Sequence, residues 1–397
     1  MTEFAHIDAI IAGAGPVGLA AAFACQNIGL TPLVADTSKA ASANAAKGRS
    51  AALFNKSVEF LQTLGVWQAC AEAAEPLRTL QFIDDTGRLL RAPDCAFNAS
   101  EIGERAFGYN INNADLARAF KGEAERRGLR VIAPGRLVSL ESGGTEASLA
   151  FEDGTKLSAP LVIAADGRAS AAREAAGIRS LSWSYGQIAL AGSFSHERPH
   201  NGVCIEFHRS AGPFTLIPLP GNRSSFVWSE RNAEAERLLA LDDTLFAAEA
   251  EKASRFALGR ISGLSARAGF PLSSLVVREY GRARAALAGE AAHAAPPIGA
   301  QGLNLGFRDI ETLAALLSEA RSRGEDIGGD KLLCAYSAAR RGDIMSRTLG
   351  LDLLNRSLLS GFLPFQAARG AGLYALGTIG PLRRAFMRRG IAPAGMF

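Results

Sequence analysis

The chain has few cysteines, few histidines and little net charge, and each shortage excludes a class of function. Its five cysteines are far apart and form no CxxC pair, so the sequence predicts neither a zinc knuckle nor a disulfide framework. The five histidines are scattered and form no metal-binding constellation. A formal net charge of only +4 over 397 residues gives no global basic field of the kind that attracts nucleic acid. We therefore expect a protein of the reducing cytoplasm that binds neither metal nor nucleic acid.

The N-terminus lacks a basic region, and a long stretch behind it lacks charge altogether. Residues 1–4 do not begin a signal peptide, because they carry no basic n-region. The uncharged stretch from Ala9 to Ala35 is long enough for a hydropathy scan to suggest a membrane span. However, it contains Pro16 and Pro32, and its pattern is that of a strand, a turn, a helix and a second strand. Because a buried βαβ unit is as apolar as a membrane span, we predict a βαβ unit.

The order of the predicted elements indicates two lobes, as the length of the chain also favours. An apolar strand at 161–165 is followed, from 187 to 277, by short alternating runs typical of an antiparallel sheet. A buried strand returns at 285–288, and long helices follow it. We therefore predict an α/β fold, in which a discontinuous Rossmann-like nucleotide-binding domain carries an inserted antiparallel β-sheet substrate domain and a C-terminal helical tail. The predicted boundaries are 1–180 for the first part of the nucleotide-binding domain (with a short substrate-side insertion near 76–105), 181–275 for the sheet domain, 276–320 for the last part of the nucleotide-binding domain and 321–397 for the helical tail.

Two local patterns in the first 100 residues give testable expectations for the fold. Residues 50–64 carry apolar side chains at helical spacing, which predicts one helix over the whole stretch. Residues 80–83 and 89–91 flank the turn sequence Asp85-Thr86-Gly87, which predicts a hairpin between them.

The first chemical motif is the glycine-rich turn Gly13-Ala14-Gly15-Pro16-Val17-Gly18, which fits GxGxxG and lies between a predicted strand and helix. The first glycine permits a tight turn, Gly15 lets a pyrophosphate approach the backbone, and Gly18 lets the helix pack closely on the strand. The helix N-terminus then offers N–H groups and a partial positive charge to the phosphates. Asp36 ends the next strand, where a carboxylate can accept hydrogen bonds from ribose hydroxyls.

Two further motifs follow buried strands in the same way. The strand at 161–165 is followed by Asp166-Gly167, which taken alone is typical of an ordinary strand-end turn. The strand at 285–288 is followed by Gly289-Glu290 and then by the glycine-rich loop from Pro297 to Asn304, which opens a long helix. This geometry sets backbone N–H groups and a helix dipole against an anion.

Taken together and in this order, the three motifs resemble the FAD-dependent aromatic hydroxylases. The resemblance is closer still to the ubiquinone-biosynthesis hydroxylases among them, and it covers essentially the whole chain. The segments that carry this closer resemblance include Asn112-Asn113, Tyr185-Gly186-Gln187, Glu206-Phe207, Gly212-Pro213 and Asp352-Leu353-Leu354-Asn355-Arg356-Ser357.

The resemblance implies a noncovalent FAD, NAD(P)H as a transient reductant, and transfer of oxygen from a flavin C4a-hydroperoxide to a phenol ring. A transient reductant also agrees with the sequence, which has no second GxGxxG unit for a nicotinamide. The implied substrate is a lipophilic aromatic compound used together with O2. No metal is implied and no catalytic side chain is identified. The implied cofactor-binding residues are Gly13, Gly15, Pro16, Gly18, Asp36, Arg49, Asn113, Asp166, Gly167, Gly289, Glu290, Pro297, Gln301, Gly302, Leu303 and Asn304.

The chain departs from the family pattern at two carboxylates. The family usually has aspartate at the position of Glu290 and glutamate at the position of Asp36, so both acids keep their charge but change their length. Three hypotheses for the function therefore stay open. They are hydroxylation of a polyprenylated phenol in ubiquinone biosynthesis, hydroxylation of a small soluble aromatic compound, and a non-catalytic flavin-binding scaffold in a biosynthetic complex.

Several residues keep two interpretations at this level. His293 fits a structural hydrogen bond better than a chemical role, and Arg49 is either a phosphate contact or a solvated arginine. The aromatics of the sheet domain, Phe207, Phe214, Phe226 and Trp228, fit a core better than a pocket. The C-terminal run contains Leu358, Leu359, Phe362, Leu363 and Phe365, followed by Arg383, Arg384, Arg388 and Arg389. It is either docked on the body or in peripheral contact with the inner face of the membrane, near other ubiquinone-biosynthesis enzymes.

Overall fold

The structure, a computed structural model, describes residues 6–36, 48–88, 91–360 and 363–391. The predictions made for residues 89–90 and for Phe362 lie outside these ranges. The first half of the chain contributes strands β1 (Ala9–Ala12), β2 (Pro32–Ala35), β3 (Ser50–Phe54), β4 (Ala74–Pro76), β5 (Thr79–Asp84), β6 (Cys95–Asn98), β7 (Gly108–Asn112), β8 (Val131–Ile132), β9 (Leu137–Gly143), β10 (Glu146–Phe151), β11 (Lys156–Ala159) and β12 (Leu161–Ala164). The second half contributes β13 (Ser180–His196), β14 (Val203–Arg209), β15 (Gly212–Leu219), β16 (Arg223–Arg231), β17 (Ile261–Ser262), β18 (Ala268–Val277), β19 (Gly281–Arg282), β20 (Ala285–Leu287) and β21 (His293–Ala294). The α-helices are α1 (Pro16–Asn27), α2 (Asn55–Thr63), α3 (Trp67–Cys70), α4 (Asn113–Arg126), α5 (Ala171–Ala175), α6 (Asn232–Ala240), α7 (Asp243–Ala253), α8 (Gln301–Ser322), α9 (Asp330–Leu359), α10 (Leu363–Thr378) and α11 (Gly380–Ile391).

The central sheet has the strand order β19-β20-β12-β1-β2-β8. Its strands run parallel except for the short β19, which is antiparallel to β20. Every residue of β1, β2 and β12 is buried, as expected for parallel strands that are covered on both faces. The uncharged stretch at the N-terminus is therefore a βαβ unit, as the sequence predicts, and its apolar character reflects burial inside the protein.

The second sheet has the strand order β21-β18-β13-β16-β15-β14-β5-β6, with β17 paired to β13. Its pairs are antiparallel except for β14 and β5. The helices α6 and α7 cover one of its faces, over a hydrophobic core that contains Phe207, Phe214, Phe226 and Trp228. The interpretation of these four aromatics as core residues is confirmed. So is the predicted fold class, a Rossmann-like domain interrupted by an antiparallel sheet and followed by helices, whereas the exact domain boundaries remain a proposal.

The helix predicted over residues 50–64 is wrong in its first third. Ser50–Phe54 forms β3, which pairs with β7, and the helix α2 begins only at Asn55. The apolar spacing of the stretch fits a helix, but Leu53 and Phe54 are buried by pairing with a strand more than 50 residues away in the sequence. A local periodicity cannot register such a partner.

The hairpin predicted around residues 85–87 has a different second strand. β5 pairs antiparallel with β6, so its partner begins at Cys95 and not near residue 89. The carboxylate of Asp84 accepts hydrogen bonds from the backbone N–H groups of Thr86 (3.1 Å) and Ala92 (2.8 Å). These bonds fix a residue on each side of a connection that is longer than the tight turn that the sequence Asp85-Thr86-Gly87 suggests. Both strands join the second sheet through β14.

The tail helices dock on the second sheet at several points. Arg369 in α10 pairs with the buried Asp84 of β5 at 2.7 Å. Met387 in α11 is fully buried in a small cluster that includes Cys95 and Phe97. No helix within the described ranges is both long and apolar enough to cross a membrane.

The core between the second sheet and the helices α6 and α7 yields a prediction about stability. Phe246 of α7 is fully buried, and its ring lies 5.5 Å from that of Phe226 and 5.9 Å from that of Trp228. Phe246→Ala should lower the free energy of unfolding by about 3–5 kcal/mol, because it leaves a cavity in a packed core. Its neighbour Leu245 is 53% exposed, so Leu245→Ala should cost less than about 1 kcal/mol. Urea denaturation followed by circular dichroism measures both, and equal losses would contradict this core.

Candidate active site

In the first glycine-rich turn, Gly13 and Gly18 are closely packed, whereas Gly15 has open space beside it. Gly13 has a φ of 105°, and a Cβ there would come within 2.5 Å of the carbonyl oxygen of Ala165. A Cβ on Gly18 would overlap the carbonyl oxygen of Gly13. At Gly15, by contrast, a Cβ would meet no atom within 4 Å, and this residue caps the N-terminus of α1. The turn therefore has room for a ligand at the position where the sequence predicts a pyrophosphate.

A cleft beside this turn provides space for the rest of a nucleotide. It has a volume of about 490 Å³ and lies between α1 and α4. Ala14 and Pro16 line it on one side and Lys121 on the other, and Asp36 lies at its edge. The backbone N–H of Asp36 donates to Ile132 at 2.8 Å, which fixes the end of β2 next to the cleft. The structure thus brings Pro16 and Asp36 to one cavity.

The second motif packs against the first. Asp166 follows β12, and its carboxylate accepts hydrogen bonds from the Ser170 hydroxyl (2.5 Å) and the Ala172 N–H (3.1 Å). Burial raises the pKa of this carboxyl above its ordinary value. These bonds cap the short helix α5, so Asp166 has a structural role whether or not it also contacts a cofactor. The next residue, Gly167, has a φ of 82° and open space at its Cβ position.

The third motif is tied to both of the others. Arg173 of α5 donates to the carbonyl of Ala291 at 3.0 Å, which links the second motif to the third. A Cβ on Gly306 would lie 2.7 Å from the side chain of Val17, so α8 approaches α1 closely where glycine permits it. Gly289 also faces Val17, and Glu290 behind it is exposed. All three motifs therefore meet at one edge of the central sheet.

The glycine-rich loop ends in the N-terminus of α8. Ala300 caps this helix in the left-handed conformation, with a φ of 52°, which is strained for a residue with a side chain. Gly302, in the first turn of α8, is exposed and has open space at its Cβ position. The first turn of a helix leaves N–H groups without intrahelical acceptors, and the helix dipole adds positive charge there. Together with Pro297 and Leu303, this segment can bind an anionic edge of a ligand.

The side chain of Asn304 has a structural role, whereas the cofactor contact that the resemblance implies for this residue stays a prediction. Its side-chain oxygen accepts from the Phe54 N–H (2.9 Å) and the Ser57 hydroxyl (2.7 Å). Its amide nitrogen donates to the carbonyls of Ala52 (2.8 Å) and Ala300 (2.6 Å). The buried side chain thus fastens α8 to β3 and α2, and only the backbone of Asn304 is left for a cofactor.

Arg49 and Asn113 lie together at the boundary between the lobes. The Asn113 N–H donates to the carbonyl of Arg49 at 2.9 Å. The Arg49 guanidinium lies 4.3 Å from the ring centroid of Phe270 in β18. This is a cation–π contact with the second sheet. Arg49 is thus not a freely solvated arginine, whereas its contact with cofactor phosphates, like that of Asn113 with the flavin, stays a prediction.

His293 forms a buried hydrogen bond with Asp309 at 2.6 Å, in agreement with the structural interpretation. The sequence motifs gave no role to Asp309, although it also accepts from the Gly289 N–H at 2.9 Å. The sequence motifs also gave no role to Asp343 in α9. The signal for it was available in the spacing of Arg340, Asp343 and Arg347 on one face of a helix.

These features fit FAD. Two helix N-termini carry glycines without obstruction at their Cβ positions, namely Gly15 and Gly302. The cleft lined by Asp36 adjoins the first of them. A dinucleotide needs such a phosphate turn and ribose carboxylate, and a flavin benefits from N–H donors at the edge that becomes negative on reduction. Within the described parts of the chain, no cluster of side chains could hold a metal ion.

Comparisons with known proteins agree with this geometry. The family described as FAD binding domain matches residues 6–347. Ubiquinone hydroxylase UbiL of Rhodospirillum rubrum is 34% identical over 384 residues, which cover 96% of this chain and 88% of that protein. The 3-demethoxyubiquinol 3-hydroxylase of Escherichia coli is 31% identical over 339 residues, 85% of each chain.

Solved structures share the fold. HpxO of Klebsiella pneumoniae, crystallised with FAD and uric acid, matches with a TM-score of 0.78 at 20% identity, over 98% of this chain and 97% of that one. The p-nitrophenol 4-monooxygenase PnpA of Pseudomonas putida matches with a TM-score of 0.77 at 17% identity, over 99% of each chain.

The fold and the converging motifs thus define a FAD-dependent aromatic-ring monooxygenase. The chain belongs to the FAD-binding-domain family of these enzymes. Its curated relatives above are hydroxylases of ubiquinone biosynthesis.

The open position at Gly15 yields a prediction about the cofactor. Gly15→Val should weaken FAD binding at least about tenfold, or ~1.4 kcal/mol, because the side chain would fill the space for the pyrophosphate. The melting temperature of the apoprotein should not change, since a Cβ there meets no protein atom within 4 Å. Gly143→Val, at an exposed and equally open position in β9, is the control. Flavin fluorescence on titration measures the affinity, and retention of full FAD occupancy by Gly15→Val would contradict the phosphate site.

Proposed function

We propose that this protein hydroxylates the aromatic ring of a polyprenylated phenol in ubiquinone biosynthesis, with FAD as cofactor and NAD(P)H as transient reductant. The observation that carries the proposal is the convergence of the N-termini of α1 and α8 at one edge of the central sheet, beneath an antiparallel sheet. The names of the relatives that align over most of the chain support the substrate class.

When bound, FAD supplies the activation of O2, which amino-acid side chains cannot perform. The protein's own task is to bind, orient and exclude water. The backbone of the Pro297–Asn304 loop would hold the N1–C2=O edge of the flavin with N–H donors, and Glu290 would accept hydrogen bonds from the ribityl chain. Donors preorganised in this way stabilise developing negative charge without reorganisation.

The face of the substrate sheet opposite the aromatic core would form the roof over the ring. Ser225 on this face meets the Ser50 hydroxyl of the FAD-binding lobe at 2.6 Å. Neighbouring positions on the same face carry Thr215 and Glu206, which are paired across β15 and β14. Glu206 accepts a hydrogen bond from His208 at 2.8 Å, and both side chains are buried. This polar strip suits a ring that bears hydroxyl or methoxy oxygens.

The decisive experiment deletes the gene and identifies the accumulated quinone intermediate by mass spectrometry. We expect an intermediate that lacks one ring hydroxyl, and complementation by the parent gene should remove it. An unchanged quinone profile would contradict the proposal. If purified protein consumes O2 only with soluble aromatics, the small-molecule hydroxylase replaces it. If no aromatic stimulates O2 uptake, and Glu290→Asp does not create such uptake, the scaffold hypothesis replaces it.

We also propose that the tail lies against an anionic membrane surface, where a lipid-tailed substrate would be taken up. Residues 344–397 contain seven arginines, one aspartate and no other charged residue. The described part exposes large apolar side chains, including Tyr374 (61%), Ile379 (50%) and Leu382 (45%). Leu358 and Arg383, by contrast, face inward, the first fully buried and the second paired with Glu101. Docking on the body and contact with lipid thus involve different residues of one tail.

Vesicle flotation tests the membrane contact. The holoenzyme should float with vesicles that contain phosphatidylglycerol and stay behind with pure phosphatidylcholine, because arginines near an anionic surface each contribute roughly 1 kcal/mol. The double variant Ile379→Ser/Leu382→Ser should bind at least about tenfold more weakly. Leu245→Ser, which removes a similarly exposed side chain from α7 and not from the tail, should float like the parent. Equal flotation of all three proteins would argue against the tail as the contact.

A further inference from the structure

Helix α9 belongs to the C-terminal tail, yet it reaches the loop that we assign to the flavin. The Arg347 guanidinium donates to the side-chain oxygen of Gln301 at 3.0 Å. Gln301 is the first residue of α8 and directly follows Ala300, whose left-handed conformation is strained. Such a conformation persists only when surrounding contacts hold it, and this hydrogen bond is one of those contacts.

Asp343 is the centre from which these contacts spread. Its carboxylate accepts hydrogen bonds from three arginines, namely Arg347 (2.8 Å), Arg308 (2.9 Å) and Arg340 (3.0 Å). Burial by itself raises the pKa of this carboxyl, but the charges and hydrogen bonds of the arginines outweigh it, so the pKa lies well below its ordinary value. Asp343 is therefore ionised throughout the working range of a cytoplasmic enzyme.

A second carboxylate continues the network to the other side of the loop. Asp309 is fully buried and accepts from Arg340 at 2.7 Å. It also accepts from the Gly289 N–H and from His293, at the two ends of the segment that carries Glu290. One uninterrupted series of hydrogen bonds thus joins Gly289 to Gln301 by way of α9.

The network also has an electrostatic consequence for the loop. Among the described residues, the three arginines Arg308, Arg340 and Arg347 form their ion pairs with two carboxylates, Asp309 and Asp343. The arginines of the network thus outnumber its carboxylates behind the N-terminus of α8, and their charge has the same sign as the helix dipole there. Both favour an anionic ligand at the loop.

We propose that Asp343 is a positioning residue for the flavin site. It holds Arg347 in position to bind Gln301 and Arg340 in position to bind Asp309. Through these contacts it fixes Gly289, which follows β20, relative to the start of α8, where the reduced flavin would bind. This inference rests on the proposed function, because the loop acts on a flavin only if FAD binds there. Asp343 touches no cofactor itself and acts only through the arginines.

The test compares Asp343→Asn with Asp352→Asn. Both aspartates lie on α9 with similar side-chain exposure, 19% and 14%, but Asp352 contacts Tyr185 and Arg356 and not the loop. In the apoprotein, amide hydrogen exchange of residues 299–304 should accelerate at least about tenfold in Asp343→Asn. In the holoenzyme, oxidised FAD should bind within about threefold of the parent, whereas reduced FAD should bind about tenfold more weakly, which lowers the two-electron midpoint potential by about 30 mV. Peroxide released per NAD(P)H oxidised should rise, and Asp343→Glu should restore part of each change.

Each outcome decides the inference. Parent-like exchange and parent-like potential in Asp343→Asn would overturn it, and so would equal changes in Asp352→Asn, because the effect would then be a general loosening of α9. If Asp343→Asn does not fold, Arg347→Gln removes the link to Gln301 together with the Arg347–Asp343 pair, leaves the contacts of Asp343 with Arg308 and Arg340, and must show the same faster exchange and lower potential. The exchange and potential readouts do not require hydroxylation. A parent enzyme that hydroxylates no prenylphenol would therefore refute the proposed function and leave this inference to be judged by those readouts.

Discussion

The close contact between α1 and α8 is the constraint on which the active site depends. Val17 in the first turn of α1 lies against Gly306 of α8, where a Cβ would come within 2.7 Å of its side chain, and near Gly289, where the distance would be 3.3 Å. Gly306 therefore has no room for a side chain unless the two helices move apart. Because α1 and α8 touch near their N-termini, two helix dipoles point toward one region. A larger residue at Gly306 would move the two N-termini apart. The packing of two helices thus sets the distance between two positively polarised helix ends.

The interruption of the nucleotide-binding lobe follows from the same arrangement. The chain leaves the central sheet after α5, builds the antiparallel sheet, and returns at β20 beside β12. Arg173 before the interruption binds the carbonyl of Ala291 after it, so the two parts close on each other directly. The inserted sheet is therefore held against the nucleotide-binding lobe by direct contacts, one of which joins the hydroxyls of Ser50 and Ser225.

The tail helices carry both exposed apolar side chains and buried charged side chains. On one side α9 exposes Met345, Leu349 and Leu353, and on another it carries the arginines that meet Asp343 and Asp309. Farther along, Arg369 is buried against Asp84 of the second sheet. The C-terminal helices thus contact both the glycine-rich loop before α8 and the second sheet.

The sequence by itself determined the cofactor class, the βαβ unit and the inserted sheet, because these depend on local chemistry. A turn such as Gly13–Gly18 must have glycine where the backbone closes on itself, and alternating side chains mark a half-buried strand wherever it lies. Only the tertiary structure decided that residues 50–54 are a strand, that Asn304 fastens α8 to β3, and that Asp309 and Asp343 form a buried network. Each of these depends on a partner distant in the chain. Phe54 and its partner Gly108 are 54 residues apart, and Asn304 and Phe54 are 250 residues apart. Local periodicity contains no information about such partners, since burial and pairing are properties of the folded chain and not of the segment.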